Sequence, residues 1–111
     1  MVRAQSVIPN VELEDLCFDA QQAAEKAIKA VLVHRGETFP YIHDLAKLIR
    51  LLKQNGHKVP QYLNEAKELT DYAHVMRYPG MAAAVKLREY RRAVRIAAAV
   101  LRWAERQIGQ S

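Results

Sequence analysis

The segment LEDLCFDAQQAAEKAIKAVLVHRG, from Leu13 to Gly36, has the apolar spacing of a long amphipathic helix. Its apolar residues recur at steps of three and four, so they share one face at 3.6 residues per turn. Acidic residues occupy the first turn and His34 and Arg35 the last, as the helix dipole favours, and Gly36 suits the position just after a helix. A narrow seam of small residues runs along it: Ala20, Ala23, Ala24 and Ala27. We predict one long helix that a neighbouring helix approaches closely.

Length and composition fit one globular domain over residues 1–111, since half of the chain is hydrophobic and 26% is charged. No apolar run approaches the roughly 20 residues that span a bilayer, and the first residues lack a signal-peptide core, so we expect a cytoplasmic protein and no membrane partner. The single cysteine, Cys17, is interpreted as a small buried thiol. The four histidines show no metal-ligand spacing, and no glycine-rich phosphate loop is present. We expect neither a metal nor a cofactor.

Three more helices are predicted after the first, and residues 1–10 are expected to be loosely structured, with Asn10 as the helix N-cap. The second helix begins near Tyr41 or His43 and ends at residues 54–56, the third runs from Pro60 to about Val75, and the fourth runs from about Ala83 to Ile108. Short connections favour antiparallel neighbours. The expected fold is therefore all-α, an up-and-down antiparallel bundle of about four helices.

The fourth predicted helix carries both a core face and the charge of the protein. The residues expected to face the core fall within a narrow arc at 100° per residue: Tyr90, Val94, Ala97, Leu101, Ala104 and Ile108. From Lys86 to Ile108 there are seven Lys or Arg residues and two acids, which accounts for the net charge of +5 because the rest of the chain is balanced.

Five arginines of this helix lie within roughly 40° of one line, opposite the predicted core face. They are Arg88, Arg92, Arg95, Arg102 and Arg106. Such a line of guanidinium groups, about 27 Å long, suits phosphates or a carboxylate-rich partner. The alternative is a solvated face without a ligand, although such faces usually mix both signs of charge. No aromatic residue is interleaved on the line, so the sequence does not support base stacking there.

Three sequence blocks resemble the HEPN domain family, whose members are small helical bundles. The blocks are Cys17 to Ala30 (CFDAQQAAEKAIKA), His43-Asp44-Leu45, and Arg77-Tyr78-Pro79-Gly80. The resemblance implies a short prokaryotic HEPN protein of the kind paired with a minimal nucleotidyltransferase, often in a toxin–antitoxin or nucleotide-handling module, and usually a homodimer. The first helix of the family is shortened or missing here, which would leave apolar surface for a partner chain to cover.

Some HEPN proteins are ribonucleases with a late R-x(4–6)-H motif, and this sequence lacks that motif at the expected position. No histidine follows Arg77, because His74 is the last one. Arg50 and His57 have the right spacing but lie at the end of the second predicted helix, so we interpret the match as coincidence. The ribonuclease alternative then needs a non-standard site, for which His43, His74 and Arg77 are the weak candidates. For His43-Asp44 the simpler interpretation is a helix start.

Arg77 and Tyr78 precede a proline and a glycine, which would hold their side chains at a helix end. They therefore form either part of a binding groove or a simple helix stop. The leading expectation is a non-catalytic, homodimeric HEPN subunit that binds a nucleotide, RNA or a nucleotidyltransferase through Arg77, Tyr78 and the arginine line. The two alternatives are a ribonuclease toxin and a basic helical module that binds nucleic acid.

Overall fold

The computed structural model of the chain describes residues 10–72 and 86–109, with only the backbone for residues 10–12. Within these ranges it contains four helices and no strand, so the expected all-α bundle is confirmed. The helices are α1 (Asn10–His34), α2 (Leu45–Gln54), a 3₁₀ helix (Gln61–Leu69) and α3 (Leu87–Gly109). None of the helices in the described ranges is long and apolar enough to cross a bilayer.

The long helix α1 is the centre of the bundle and contacts each of the other three helices. Its core side chains are almost fully buried, among them Ile28, Val31 and Leu32. The helix ends as the sequence predicts, because Gly36 takes the left-handed conformation at φ 71°. The N–H groups of Gly36 and Glu37 then donate to the carbonyl oxygens of Val33 and Leu32, both at 2.9 Å.

α1 and α2 run in the same direction, contrary to the antiparallel arrangement expected for consecutive helices. The start of α2 lies beside the middle of α1, where His43 contacts Glu25, and its end lies beside the end of α1, where His57 contacts Glu37. Ten residues, 35–44, connect the two helices, and an extended chain of that length reaches about 33 Å. This connection is therefore long enough to return along α1 before α2 begins.

The 3₁₀ helix runs antiparallel to both α2 and α3. Lys53, near the end of α2, donates to Asn64, and the N–H of Leu45 at the start of α2 donates to the Thr70 hydroxyl. The sequence predicts a third helix here, and the structure shows a 3₁₀ helix over Gln61–Leu69. Its buried residues Leu63, Ala66 and Leu69 recur every three positions, which matches three residues per turn.

The core face of α3 differs from the predicted one. The buried residues are Ala93, Ile96, Ala97, Val100, Trp103 and Ala104. Ala97 and Ala104 were expected there, whereas Val94 and Leu101 are 42% and 41% exposed. The buried arc is centred roughly 70° from the predicted arc. Two overlapping apolar arcs are present on this helix, and α1 and the 3₁₀ helix cover the one that contains Trp103.

Candidate functional site

The five aligned arginines of α3 are all exposed, on the side of the helix away from its buried arc. We call Arg88, Arg92, Arg95, Arg102 and Arg106 the arginine face. The side chains of Arg88, Arg95 and Arg102 make no hydrogen bond or ion pair with the part of the chain that the structure describes. Their guanidinium groups can donate hydrogen bonds to several oxygen atoms of an anion. The arginine face therefore offers unsatisfied donors to a phosphate or carboxylate ligand.

The 3₁₀ helix borders the arginine face, and one of its contacts with that face is made by an acidic side chain. Arg92 forms a bidentate pair with Glu68, with Nε donating to Oε1 at 2.9 Å and Nη2 to Oε2 at 2.8 Å. Glu65 lies farther away, at 3.9 Å from Nη2 of Arg92. The hydrogen bond from Arg92 lowers the pKa of the Glu68 carboxyl, so this carboxylate stays charged. One of the five arginines is thus occupied by a partner within the fold.

The second contact between the 3₁₀ helix and the arginine face is aromatic. Nη2 of Arg106 donates to Oη of Tyr62 at 2.7 Å. Tyr62, Ala99, Arg102 and Arg106 line an open cleft of about 210 Å³. Tyr62, Glu65 and Glu68 share one edge because side chains three residues apart eclipse each other in a 3₁₀ helix. The sequence shows no aromatic residue on the arginine line itself, and tertiary packing supplies one from another helix.

A second polar cluster surrounds the carboxylate of Glu25, which lies in α1 and is only 2% exposed. Its Oε1 accepts from Nε2 of Gln21 at 2.9 Å, and its Oε2 accepts from Nζ of Lys29 at 2.8 Å. Nδ1 of His43 lies 2.6 Å from the same Oε2. Burial alone would raise the pKa of Glu25, but the hydrogen bonds from Lys29, His43 and Gln21 outweigh it and lower the pKa. The carboxylate is therefore buried, charged and well paired.

His43 precedes Asp44 in the sequence, and the structure gives the two residues separate roles. Asp44 caps α2, where its carboxylate accepts from the N–H groups of Ala46 at 2.9 Å and Lys47 at 3.4 Å. The partner of His43 is Glu25, eighteen residues earlier, while 43% of the His43 side chain remains exposed. A carboxylate that accepts from Nδ1–H leaves the lone pair of neutral imidazole on Nε2. This arrangement is suited to proton transfer at Nε2.

The connection 35–44 places aromatic rings next to this cluster. The Tyr41 and His43 rings meet edge to face, with centroids 5.0 Å apart. Nζ of Lys29 lies 5.9 Å from the centre of the Phe39 ring and 5.8 Å from that of Tyr41. Lys29 is therefore held by the Glu25 carboxylate and by two rings at once.

His57 is engaged in the fold and does not meet Arg50. Its Nε2 lies 2.7 Å from Oε1 of Glu37, and only 4% of its side chain is exposed. Nδ2 of Asn55 donates to the same oxygen at 3.1 Å. The hydrogen bond with His57 lowers the pKa of Glu37. Arg50 is exposed on α2. The contact between His57 and Glu37 ties the ends of α1 and α2 together.

Cys17 is completely buried, and its burial raises the pKa of the thiol to about 11. This agrees with its interpretation as a core residue. The other predicted site residues, His74, Arg77 and Tyr78, lie outside the described residues. Within residues 10–72 and 86–109 there is no group of three or more side chains suited to hold a metal ion.

Comparison of the sequence with protein families gives a match. The model of the HEPN domain matches residues 2–107, which is nearly the whole chain. Comparison with curated proteins gave no match, and comparison with solved structures gave none either. Both the three sequence blocks and the helical bundle agree with this domain match. The chain belongs to the HEPN domain family.

Proposed function

We propose that this HEPN-domain protein is a non-catalytic subunit that binds phosphate groups of a nucleotide or nucleic acid through its arginine face. The observation that carries the proposal is the set of three arginines whose side chains have no partner in the described structure, Arg88, Arg95 and Arg102, of which Arg102 lines the cleft at Tyr62. A helix chosen only for solubility would mix acids among its exposed bases. Here the two acids of α3, Glu89 and Glu105, lie off the arginine line.

The same proposal includes a homodimer. α3 exposes a second, apolar stripe that consists of Leu87, Val94 and Leu101, which are 48%, 42% and 41% exposed. These residues repeat every seven positions, the spacing of a helix that packs along another helix. The apolar stripe lies roughly 110° around α3 from the arginine face. A dimer formed through this stripe would leave the arginines free for a ligand, or for a minimal nucleotidyltransferase with an acidic surface in a toxin–antitoxin type of module.

The binding test uses a fluorescent single-stranded RNA oligonucleotide and measures its dissociation constant by anisotropy at low salt. Replacing Arg95 and Arg102 together by Gln removes two unpaired charges from the arginine face. Replacing Lys47 and Arg50 together by Gln removes the same charge from the exposed side of α2 and serves as the matched control. We expect the first double variant to bind at least tenfold more weakly and the control to lose much less. Equal losses in the two variants would contradict the proposed site.

The ribonuclease alternative is kept because of one observation, the hydrogen bond between Glu25 and His43 with an exposed imidazole. A histidine oriented by a buried carboxylate is the arrangement of a general base. The test is cleavage of labelled RNA by the wild-type protein and by the variant His43→Ala. Cleavage that the wild type performs and His43→Ala loses would support the enzyme and overturn the non-catalytic assignment. Absence of cleavage by the wild type leaves the binding function as the better account.

A further inference from the structure

We propose that the cleft between the 3₁₀ helix and α3 receives an unpaired nucleobase on the Tyr62 ring while Arg102 and Arg106 hold the adjacent phosphate. The ligand class is therefore single-stranded nucleic acid in preference to duplex. This inference rests on the proposed function, because it names the form of nucleic acid that the arginine face takes.

The Tyr62 ring has a fixed position beside the arginine face. Tyr62 belongs to the 3₁₀ helix, and its hydroxyl is fixed by Nη2 of Arg106 at 2.7 Å. The residue is 38% exposed, so part of it remains open to a ligand. A ring that is held at its hydroxyl end loses little conformational entropy when a planar group stacks on it. The cleft is thus prepared before a ligand arrives.

The cleft leaves space beside the Tyr62 ring. Ala99 lies on α3 between the arginine turns and forms one wall of the cleft of about 210 Å³. A longer side chain at this position would fill part of the cleft. The cleft therefore depends on a small residue of α3 that faces the 3₁₀ helix.

The positive charge of the cleft comes from Arg102 and Arg106. Arg106 uses one N–H for Tyr62, and a guanidinium has five N–H donors, so most of its donors stay free. Arg102 lines the same cleft and has no partner within the described residues. Arg95 lies about two turns of helix before Arg102 on the same line. A phosphate held by Arg102 and Arg106 places the attached nucleotide next to Tyr62.

The aromatic ring distinguishes single strands from duplexes. The arginine face alone attracts any polyanion, because phosphate contacts carry no preference for base or strand form. An aromatic ring beside the phosphates adds affinity only when a base is unstacked and available to it. A duplex keeps its bases paired, so it gains the phosphate contacts and not the contact with Tyr62. The Tyr62 cleft therefore predicts strand selectivity.

The experiment measures three dissociation constants for each variant, with a 12-nucleotide single strand, its duplex and a mononucleotide. Tyr62→Leu should weaken binding of the single strand about 5- to 150-fold and leave the duplex nearly unchanged. Tyr62→Phe keeps the ring and should retain most of the preference for the single strand. Tyr41→Leu removes another tyrosine, one that is 88% exposed and outside the arginine face, and is the matched control.

Ala99→Leu gives a second, independent test that removes no aromatic ring or charge. Leucine is a good helix former, and its side chain would occupy the cleft. We expect a loss of the preference for single strands with duplex binding retained. If Tyr62→Leu is found by circular dichroism to be unfolded, Ala99→Leu alone decides the question.

The outcomes separate this inference from the proposed function. If Tyr62→Leu and Ala99→Leu lower the affinity for single strand and duplex equally, Tyr62 is only a brace between the helices and the inference is wrong. If Arg95 and Arg102 prove unimportant for every ligand, the proposed function itself is wrong. If the mononucleotide binds as tightly as the 12-nucleotide strand, the ligand is a free nucleotide and a single strand is excluded as the preferred one.

Discussion

Nδ1 of His43 lies 2.6 Å from Oε2 of Glu25, although the two residues are eighteen positions apart and belong to different parts of the bundle. This contact, together with those from Gln21 and Lys29, lets a charged carboxylate reside in the interior of a small protein. Burying a carboxylate without such partners is costly. The cluster also fixes the returning connection 35–44 against α1, because the main-chain carbonyl of His43 accepts from Nε2 of Gln21 at 3.4 Å.

The variant Glu25→Gln tests how much this cluster contributes to stability. It keeps the size of the side chain but removes the charge that Lys29 and His43 share. We expect the free energy of unfolding to fall by about 1–3 kcal/mol, because Lys29 is left without its carboxylate in a largely enclosed place. Urea unfolding followed by circular dichroism measures the change. Glu105→Gln removes an exposed acid from α3 and should stay within about 0.5 kcal/mol. Similar values for the two variants would rule out a structural role for the cluster.

The lowered pKa of Glu25 predicts a dependence of stability on pH. A carboxyl whose pKa is lower in the folded than in the unfolded chain contributes its stability above the ordinary value of 4.5. That contribution is lost as the pH falls through the lower, native value. The difference in unfolding free energy between the wild type and Glu25→Gln should therefore be constant at neutral pH and shrink below about pH 4.5. A difference that grows on acidification would show that the sign of the shift is opposite.

The pair between Arg92 and Glu68 predicts that an internal acid weakens ligand binding. Glu68→Gln removes the carboxylate that occupies Arg92 and lowers the negative charge beside the arginine face. We expect about two- to fivefold tighter binding of a single-stranded oligonucleotide at low salt. Glu105→Gln changes the net charge by the same amount on another side of α3 and is the control. If both variants tighten binding equally, the effect reflects net charge and not the release of Arg92.

The apolar stripe predicts the oligomeric state. Light scattering should give the mass of a dimer at low and at high salt, because burial of Leu87, Val94 and Leu101 does not depend on charge. The variant Leu101→Asp places a charge in the stripe and should give a monomer that keeps its helical signal. Val33→Asp changes another exposed apolar residue, at the end of α1, and should leave the mass unchanged. A monomeric wild type, or a dimer lost in salt, would contradict the proposed apolar interface.

The helices themselves were predictable from the sequence, and the contacts between them were not. The apolar spacing of α1, its end at Gly36 and the helix start at His43-Asp44 are local properties, and the structure shows each of them, with Asp44 as the cap. The direction of α2 depends on the path of the connection 35–44, which the sequence does not specify. α3 has two apolar arcs, and periodicity alone does not show which of them faces α1. The arc with Trp103 is buried, while Val94 and Leu101 stay exposed.

The contacts of the candidate site were likewise not predictable from the sequence. The alignment of the arginines follows from helix geometry alone, and the structure keeps all five exposed. Tyr62 and Arg106 are 44 positions apart, and Glu25 and His43 lie in different elements, so only the tertiary structure reveals these contacts. The three-residue repeat of Leu63, Ala66 and Leu69 was the one local signal that places Tyr62, Glu65 and Glu68 on a common edge.

Phosphate binding by the arginine face is best tested by the salt dependence of oligonucleotide binding, measured for the wild type and for Arg95→Gln combined with Arg102→Gln. The slope of log Kd against log salt concentration reports how many phosphates the protein contacts, at about 0.7 per contact for a single strand. The arginine face predicts a steep slope for the wild type that falls by about 1.4 in the double variant. A slope that stays the same when these two arginines are removed would place the ligand elsewhere and show that the arginine face does not bind its phosphates.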